Sequence, residues 1–253
     1  MNKLEKISSI RQTLKSGKAT IGSWIQLPDP STAEIMGNAG YDWIAVDMEH
    51  GSISVESLPN IFRALELGGT LPIVRLAAGT IKDCKKALDA GACGVIIPMV
   101  ESSKQLEEAR NASCWPPSGT RGVGFSRANL FGKNFESYRE LAQQPLFLAM
   151  IENYKAIDDL DQILAVKGLD AVLIGPYDLS SSMGITAEFE NPKFLDALNK
   201  IHTLCKRYKI PMGMHIVLSD LELLNKKFKE GYQFIAYGID GVFLNAACTR
   251  PNL

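Results

Sequence analysis

The feature that most constrains this chain is a regular alternation of short apolar segments with longer amphipathic ones. The short segments are rich in β-branched residues and predict strands, whereas apolar positions in the longer segments recur with helical spacing. Strands are predicted over 20–25, 43–47, 72–76, 94–98, 146–151, 170–174, 212–216 and 233–237. Helices are predicted over 30–39, 55–67, 80–90, 102–111, 155–164, 192–208 and 219–230, with a last one from about 240.

Eight strand–helix units in 253 residues predict an α/β protein, a (β/α)₈ TIM barrel, in preference to an open doubly wound sheet. Near-continuous apolar strands are typical of a parallel sheet that is covered by helices. Residues 1–16 have helical spacing and predict an N-terminal helix. No Gly- or Pro-rich linker interrupts the alternation, so we expect one domain over residues 1–253.

The composition argues against several classes of partner. Lys and Arg (27) balance Asp and Glu (28) without a basic stripe, so neither nucleic acid nor an anionic membrane surface is an expected partner. The longest apolar runs are too short to span a bilayer, and no signal peptide is recognisable. Five scattered cysteines without a C-x-x-C pair predict reduced, mostly buried thiols in a cytoplasmic protein.

Polar residues lie at or just after the carboxyl ends of six of the eight predicted strands. In a (β/α)₈ barrel the active site forms at the carboxyl ends of the strands, so these residues are expected to share one mouth. Charged side chains are rarely buried without partners, which makes such a set hard to explain by packing alone. The set comprises Gln26, Asp47, Glu49, His50, Arg75, Glu152, Asp178 and His215.

Glu152 and Asp178 follow neighbouring strands, so their carboxylates are expected to lie close together. Two close carboxylates share a proton, find a cation or bind a metal. Oxygen ligands and few histidines favour Mg²⁺, Mn²⁺ or Co²⁺ over a tightly held zinc. The alternative is that Asp178 caps the short helix that follows, and one carboxylate can do both.

The turn "GPYDLS" that carries Asp178 begins with Gly175 and offers backbone N–H groups at a helix start, a geometry suited to a substrate carboxylate. Arg75 adds a permanent positive charge at the same mouth, suited to a carboxylate or a developing enolate oxygen. Its alternative role is a salt bridge to Asp47 or Glu49.

His50 is the candidate for proton transfer among three histidines, because its unperturbed pKa lies near neutrality. Asp89 is a candidate to orient it, while Asp47 and Glu49 are expected to support it or to lie in an interface. His202 lies in a predicted helix and is expected to be structural; His215 is expected to line the pocket. No predicted strand contains a lysine, which disfavours a Schiff-base mechanism.

The segment 112–135, "ASCWPPSGTRGVGFSRANLFGKNF", is long for a connection in a compact barrel. Its Pro and Gly residues indicate defined turns, and it carries Arg121 and Arg127. We interpret it as a lid over the site or as a contact between subunits.

Several segments, in order from about residue 20 to the C-terminus, together resemble the HpcH/HpaI aldolase family of metal-dependent class II pyruvate aldolases. They are "YDWIAVDMEHG", "PIVR", "ALDAGACGVIIPMV", "PPSGTRGVG", "MIEN" and "GLDAVLIGPYDLSSSMG". The resemblance implies a homohexamer, a trimer of dimers whose partners exchange the last helix. It also implies a divalent metal on Glu152 and Asp178 and no organic cofactor.

The same resemblance implies roles for substrate-binding residues. Pyruvate would chelate the metal, and the backbone amides of Tyr177 and Asp178 would hold its carboxylate. Arg75 would stabilise the enolate, while His50, paired with Asp89, would move protons through a water. The chain departs from the family pattern at two positions near the substrate: Met150 stands where a glutamine is common, and Tyr177 where a small residue is common.

The expected function is reversible retro-aldol cleavage of a 4-hydroxy-2-oxo acid, such as a 2-keto-3-deoxy sugar acid, to pyruvate and an aldehyde through a metal-stabilised pyruvate enolate. Two alternatives stay open. One is a decarboxylase of oxaloacetate or a citrate-lyase-like enzyme with the same site. The other is a barrel that binds a 2-oxo acid without turnover.

Overall fold

The computed structural model describes residues 2–251 and shows eight parallel strands closed into a barrel in chain order. The predicted (β/α)₈ fold is confirmed. Four strands match their predicted bounds to the residue and the others differ by one or two residues. The strands are β1 Thr20–Ile25, β2 Trp43–Asp47, β3 Leu71–Arg75, β4 Gly94–Ile97, β5 Leu146–Ile151, β6 Ala171–Ile174, β7 Met212–Ile216 and β8 Phe234–Ile239.

Helices connect the strands on the outside of the barrel. The helix predicted over 155–164 is divided in two at Asp159. A helix over Phe135–Gln143 and a short 3₁₀ helix over Arg127–Gly132 were not predicted. The α-helices are α1 Lys3–Lys15, α2 Pro30–Gly37, α3 Leu58–Leu67, α4 Ile81–Ala90, α5 Ser103–Ser113, α6 Phe135–Gln143, α7 Tyr154–Asp158, α8 Leu160–Leu164, α9 Pro176–Ser182, α10 Pro192–Tyr208, α11 Leu221–Lys229 and α12 Asp240–Ala247.

The N-terminal helix α1 closes the amino end of the barrel. Ile7, Ile10 and Leu14 are buried and belong to the same apolar cluster as the first residues of several strands. Among these, Trp43 and Phe234 stack with ring centroids 4.0 Å apart. The barrel is therefore open for a site only at its carboxyl end, which is where the polar strand ends lie.

The segment 112–135 lies at the amino end of the barrel, so it does not form a lid over the site of its own chain. Arg127 donates to the carbonyl of Ala90 at 3.0 Å and to the Glu66 carboxylate at 3.1 Å. Glu66 and Ala90 lie at the ends of the helices that precede β3 and β4, which places this contact at the amino ends of the strands. Val123, Phe125, Leu130 and Phe131 of this segment are more than half exposed. A contact between subunits is the interpretation that this position leaves.

Two further expectations concern the chain as a whole. Within residues 2–251, no helix combines the length and the apolar character that a membrane crossing requires. The cysteines are free thiols, of which Cys84, Cys93, Cys114 and Cys205 are buried and Cys248 is exposed. The prediction of mostly buried, reduced thiols is confirmed.

Candidate active site

A buried ion pair joins the carboxyl ends of β2 and β3. The parallel register places Asp47 beside Arg75. Arg75 Nε donates to Asp47 Oδ1 at 2.9 Å and Nη2 donates to Oδ2 at 2.5 Å. Burial alone would raise the pKa of Asp47, but the hydrogen bonds and charge of Arg75 outweigh it and lower this pKa to about 2. The predicted salt bridge therefore exists, and it holds the guanidinium in one orientation at the mouth.

The turn after β2 is organised by the same aspartate. Asp47 Oδ1 accepts the backbone N–H groups of Glu49 at 3.0 Å and His50 at 3.3 Å. Glu49 Oε2 lies 3.0 Å from Arg75 Nη1 without hydrogen-bond geometry, so this contact is an electrostatic one. Asp47 thus supports the backbone of His50, whereas the Glu49 side chain faces Arg75. The imidazole of His50 is exposed.

Glu152 follows β5 directly and is only 1% exposed. Its Oε1 accepts the backbone N–H of Met99 at 2.6 Å. Burial raises the pKa of Glu152 to about 7, against the Met99 hydrogen bond, and the negative charges of Glu49 and Asp178 act in the same direction as burial. The three carboxylates of Glu49, Glu152 and Asp178 are therefore within electrostatic range of one another.

Asp178 lies exposed in the first turn of α9. Gly175, not Asp178, occupies the N-cap position, so the prediction that Asp178 caps this helix is wrong. In the described part of the chain, no group donates a hydrogen bond to the Asp178 carboxylate, which leaves its oxygens free for a ligand. Tyr177 beside it is 57% exposed, and its ring packs edge-on against Phe189 at 5.2 Å.

Three side chains lie beneath the polar mouth. The sulfur of Met150 lies 3.9 Å from Arg75 Nη1, in agreement with its expected place under the site. The indole of Trp24 lies under the same guanidinium, 5.2 Å from ring centroid to Cζ. His215 stacks on Trp24 at 4.6 Å, and burial lowers the pKa of His215 to about 4. His215 is thus a neutral wall of the pocket at physiological pH.

The structure does not bring Asp89 to His50 within one chain. Asp89 lies in the last turn of α4, which runs antiparallel to the strands, and its neighbour Ala90 binds Arg127 at the amino end of the barrel. His50 follows β2 at the carboxyl end. Each strand is about 15 Å long, so the two side chains lie at opposite ends. The His50–Asp89 pair remains a prediction, and a single copy does not form it.

Asp240 was not identified in the sequence as a residue of the site, and no partner was assigned to Gln26. Asp240, 3% exposed, follows β8 and accepts the backbone N–H groups of Gln26 and Leu27 at 3.0 and 2.9 Å. Gln26 in turn donates to Asp47 Oδ2 at 2.8 Å. The signal for Asp240 was available, because it is a charged residue directly after an apolar strand.

The strands also agree with the expectation that disfavours a Schiff-base mechanism. No strand among residues 2–251 contains a lysine.

The residues at this mouth fit a hard divalent cation. Glu152 is a buried carboxylate whose pKa is raised by burial and by neighbouring negative charges, a combination that a cation relieves. Gly175 keeps the space open, because a Cβ there would lie 2.7 Å from Glu152 Oε2. No group of three or more candidate metal-binding side chains occurs among residues 2–251. A cation held here would therefore have two protein carboxylates and take its other oxygens from substrate and water.

Comparison with known proteins agrees with this architecture. The sequence pattern of the family described as HpcH/HpaI aldolase/citrate lyase matches residues 20–247. The chain is 37% identical to a 2-dehydro-3,6-dideoxy-6-sulfogluconate aldolase of Pseudomonas putida, covering 90% of this chain and 89% of that protein. It is 34% identical to a hydroxypyruvate/pyruvate aldolase of Roseobacter denitrificans, covering 92% and 91%.

A solved structure is similar over nearly the whole chain. It is an HpcH/HpaI aldolase/citrate lyase family protein from Burkholderia cenocepacia, with a TM-score of 0.87 and 28% identity, covering 94% of this chain and 95% of that one. The fold and these relatives define the class of protein, a carbon–carbon lyase on a (β/α)₈ barrel. This chain belongs to the HpcH/HpaI aldolase/citrate lyase family.

Proposed function

We propose that this chain is a class II pyruvate aldolase that reversibly cleaves a 4-hydroxy-2-oxo acid, such as a 2-keto-3-deoxy sugar acid, into pyruvate and an aldehyde. The observation that carries the proposal is the buried carboxylate of Glu152, with Asp178, Glu49 and the fixed guanidinium of Arg75 around it. The aldolases of P. putida and R. denitrificans support the reaction type through their similarity to this chain.

Glu152 and Asp178 are the residues that would hold the divalent metal, which we propose to be Mg²⁺, Mn²⁺ or Co²⁺ without an organic cofactor. Bound there, the ion would supply Lewis-acid stabilisation of negative charge on the 2-keto oxygen. Met99 supports this assignment, since its N–H hydrogen bond fixes Oε1 of Glu152.

Arg75 would stabilise negative charge that develops on the substrate. Asp47 fixes two of its nitrogens, so the guanidinium is preorganised and no reorientation is needed during the reaction. The turn Gly175–Tyr177–Asp178 would hold the substrate carboxylate through its backbone N–H groups. Met150 would close the pocket from below with an apolar thioether, which excludes water there.

His50 would move the protons, at the 4-hydroxyl group during cleavage and at the methyl carbon of pyruvate. Its exposure leaves the ring accessible to substrate or water. Because Asp89 lies at the other end of the barrel, its proposed pairing with His50 needs a second copy of the chain. This supports a homo-oligomer, for which the exposed apolar side chains of segment 112–135 and of α12 offer contact surface. We further propose a single domain and a cytoplasmic location, which the free thiols favour.

The test is proton exchange at the pyruvate methyl group, followed by NMR in D₂O. Chelator-treated protein would be compared with the same protein after addition of Mg²⁺, Mn²⁺ or Co²⁺. Exchange that depends on metal, followed by product formation when an aldehyde is added, is the expected result. A folded, metal-loaded protein without exchange would rule out pyruvate as the nucleophile.

A further inference from the structure

The connection between β4 and α5 contains a residue with a side chain in a left-handed backbone conformation. Met99 has a φ of 47°, and its side chain is 40% exposed, so little burial compensates for this conformation. It lies between the end of β4 and the start of α5, outside the backbone hydrogen bonds of either element. A residue with a Cβ is disfavoured at positive φ and stays there only where its surroundings hold it.

This conformation directs the backbone N–H of Met99 to the proposed metal ligand. The N–H donates to Glu152 Oε1 at 2.6 Å. The second oxygen of Glu152, Oε2, lies towards the turn that carries Asp178, because a Cβ on Gly175 would be 2.7 Å from it. One oxygen is therefore bound by the backbone, and the other is turned towards the second proposed ligand.

The side chain of Gln105, in the first turn of α5, bridges the connection that contains Met99. Its Nε2 donates to the carbonyl of Met99 at 3.3 Å. Its Oε1 accepts the backbone N–H of Glu101 at 2.8 Å. Both ends of the short segment 99–101 are thus bound to one amide group, and rotation of Met99 to a negative φ would break these hydrogen bonds.

The same segment is also joined to the residue that follows Glu152. Asn153 Nδ2 donates to Glu101 Oε1 at 2.9 Å, and Asn153 is only 9% exposed. Gln105 therefore holds Met99, the donor to Glu152, directly. Through Glu101 it also acts on the connection that carries Glu152 itself.

We propose that Gln105 is a positioning residue for the metal ligand Glu152. It keeps Met99 in the left-handed conformation, so that the Met99 N–H holds Oε1 and Oε2 stays directed towards Asp178. Gln105 touches neither the metal nor the substrate. The inference rests on the proposed function, specifically on Glu152 as a ligand of the divalent metal.

The alternative is that Gln105 only caps α5. Ser102 Oγ accepts the backbone N–H of Gln105 at 3.3 Å, and a glutamine at this position commonly turns back to the start of its helix. A capping role predicts a loss of stability alone. A positioning role predicts a loss of metal affinity as well, so metal affinity separates the two.

The test is calorimetric titration of chelator-treated full-length protein with Mn²⁺, in the absence of substrate, together with the melting temperature. Gln105→Met keeps the length of the side chain and removes both hydrogen-bonding groups. Ser102→Ala is the matched control, because it removes the cap of the same helix and leaves both hydrogen bonds of the Gln105 side chain in place. The double variant Met99→Gly/Gln105→Met tests whether the backbone conformation carries the effect.

Gln105→Met is expected to weaken Mn²⁺ binding about tenfold or more. The Mn²⁺ concentration that gives half-maximal exchange of the pyruvate methyl protons should rise by the same factor, with less change in the rate at saturating Mn²⁺. Ser102→Ala should lower the melting temperature and keep the Mn²⁺ affinity of the unaltered protein. Met99→Gly/Gln105→Met should recover part of the affinity, because glycine adopts a positive φ without outside support.

Two outcomes would overturn the inference in different ways. If Gln105→Met loses melting temperature as Ser102→Ala does but binds Mn²⁺ normally, Gln105 only caps α5 and its positioning role fails. If Glu152→Gln itself binds Mn²⁺ like the unaltered protein, the ligand assignment of the proposed function fails, and this inference fails with it. Should Gln105→Met not fold, Gln105→Ala replaces it, and normal Mn²⁺ affinity in that variant contradicts the role of Gln105 equally.

Discussion

At the scale of single residues, the two buried carboxylates at the mouth of the barrel, Asp47 and Glu152, differ in their partners and in their pKa values. Asp47 has a bidentate partner in Arg75, which keeps its pKa at about 2. Among residues 2–251 no cationic side chain pairs with Glu152, and burial raises its pKa to about 7. The Asp47 carboxylate thus binds Arg75 through both of its oxygens, whereas the Glu152 carboxylate is available to bind a metal. Their different partners assign them different roles.

Glu152→Gln is expected to abolish metal-dependent exchange of the pyruvate methyl protons, because an amide is a poor substitute for a charged ligand of a divalent ion. The protein should stay folded, since the change removes a buried negative charge that neighbouring carboxylates disfavour. Circular dichroism and calorimetric metal titration measure both effects. Glu136→Gln, at an exposed ion pair, is the control. Normal exchange at micromolar metal in Glu152→Gln would contradict the ligand assignment.

His215 predicts a specific dependence of stability on pH. Its pKa falls from 6.5 to about 4 in the folded chain, because burial disfavours the charged ring. As pH falls through this window the unfolded chain takes up the proton first, so the free energy of unfolding decreases between about pH 6.5 and about pH 4. His215→Phe, which keeps a ring against Trp24, should flatten this part of the curve. Denaturant unfolding at several pH values measures it, and an unchanged slope would contradict the assignment.

At the scale of elements, the connection from β6 to α9 requires a residue without a side chain at Gly175. Its φ of −95° and ψ of 91° suit alanine, so only the contact of a Cβ with Glu152 at 2.7 Å argues for glycine. Gly175→Ala is expected to weaken metal binding about tenfold or more with little change in melting temperature. Gly241→Ala, where a Cβ meets nothing within 4 Å, is the control. Equal metal affinity in both variants would show that Glu152 moves aside freely.

The sequence predicts the strands and helices better than it predicts which side chains contact one another. The strands and the polar residues after them follow from apolar runs that end in charge, as at Asp47 and Glu152. The position of segment 112–135 was also predictable, since a connection that follows a helix and precedes a strand lies at the amino end of the barrel. A salt bridge of Arg75 to Asp47 or Glu49 was predicted, but the sequence could not tell that Asp47 would be the bidentate partner, because both carboxylates follow the same strand. Burial of Arg121 depends on Trp115 and Tyr138, which no local pattern joins.

At the scale of the whole molecule, the two ends of the barrel differ in the residues that they carry. The carboxyl end holds the carboxylates, Arg75 and His50, whereas α1 and segment 112–135 occupy the amino end. Phe125 and Phe131 of that segment are 74% and 70% exposed, and exposed apolar side chains grouped in this way mark contact surfaces. Asp89 and Arg121 belong to the same end. We predict that a second copy docks there through its carboxyl end, which would bring its His50 towards Asp89.

This arrangement predicts that two inactive variants restore each other. His50→Ala and Asp89→Asn would be co-expressed with different tags, and mixed oligomers would be purified by both tags. If each site takes His50 from one copy and Asp89 from another, about a quarter of the sites in randomly mixed oligomers contain both native residues. Pyruvate methyl exchange should then clearly exceed the mean of the two separate variants. A rate equal to that mean, in oligomers of the normal size, would show that the two residues do not meet across subunits, because pairing within one copy leaves no site with both.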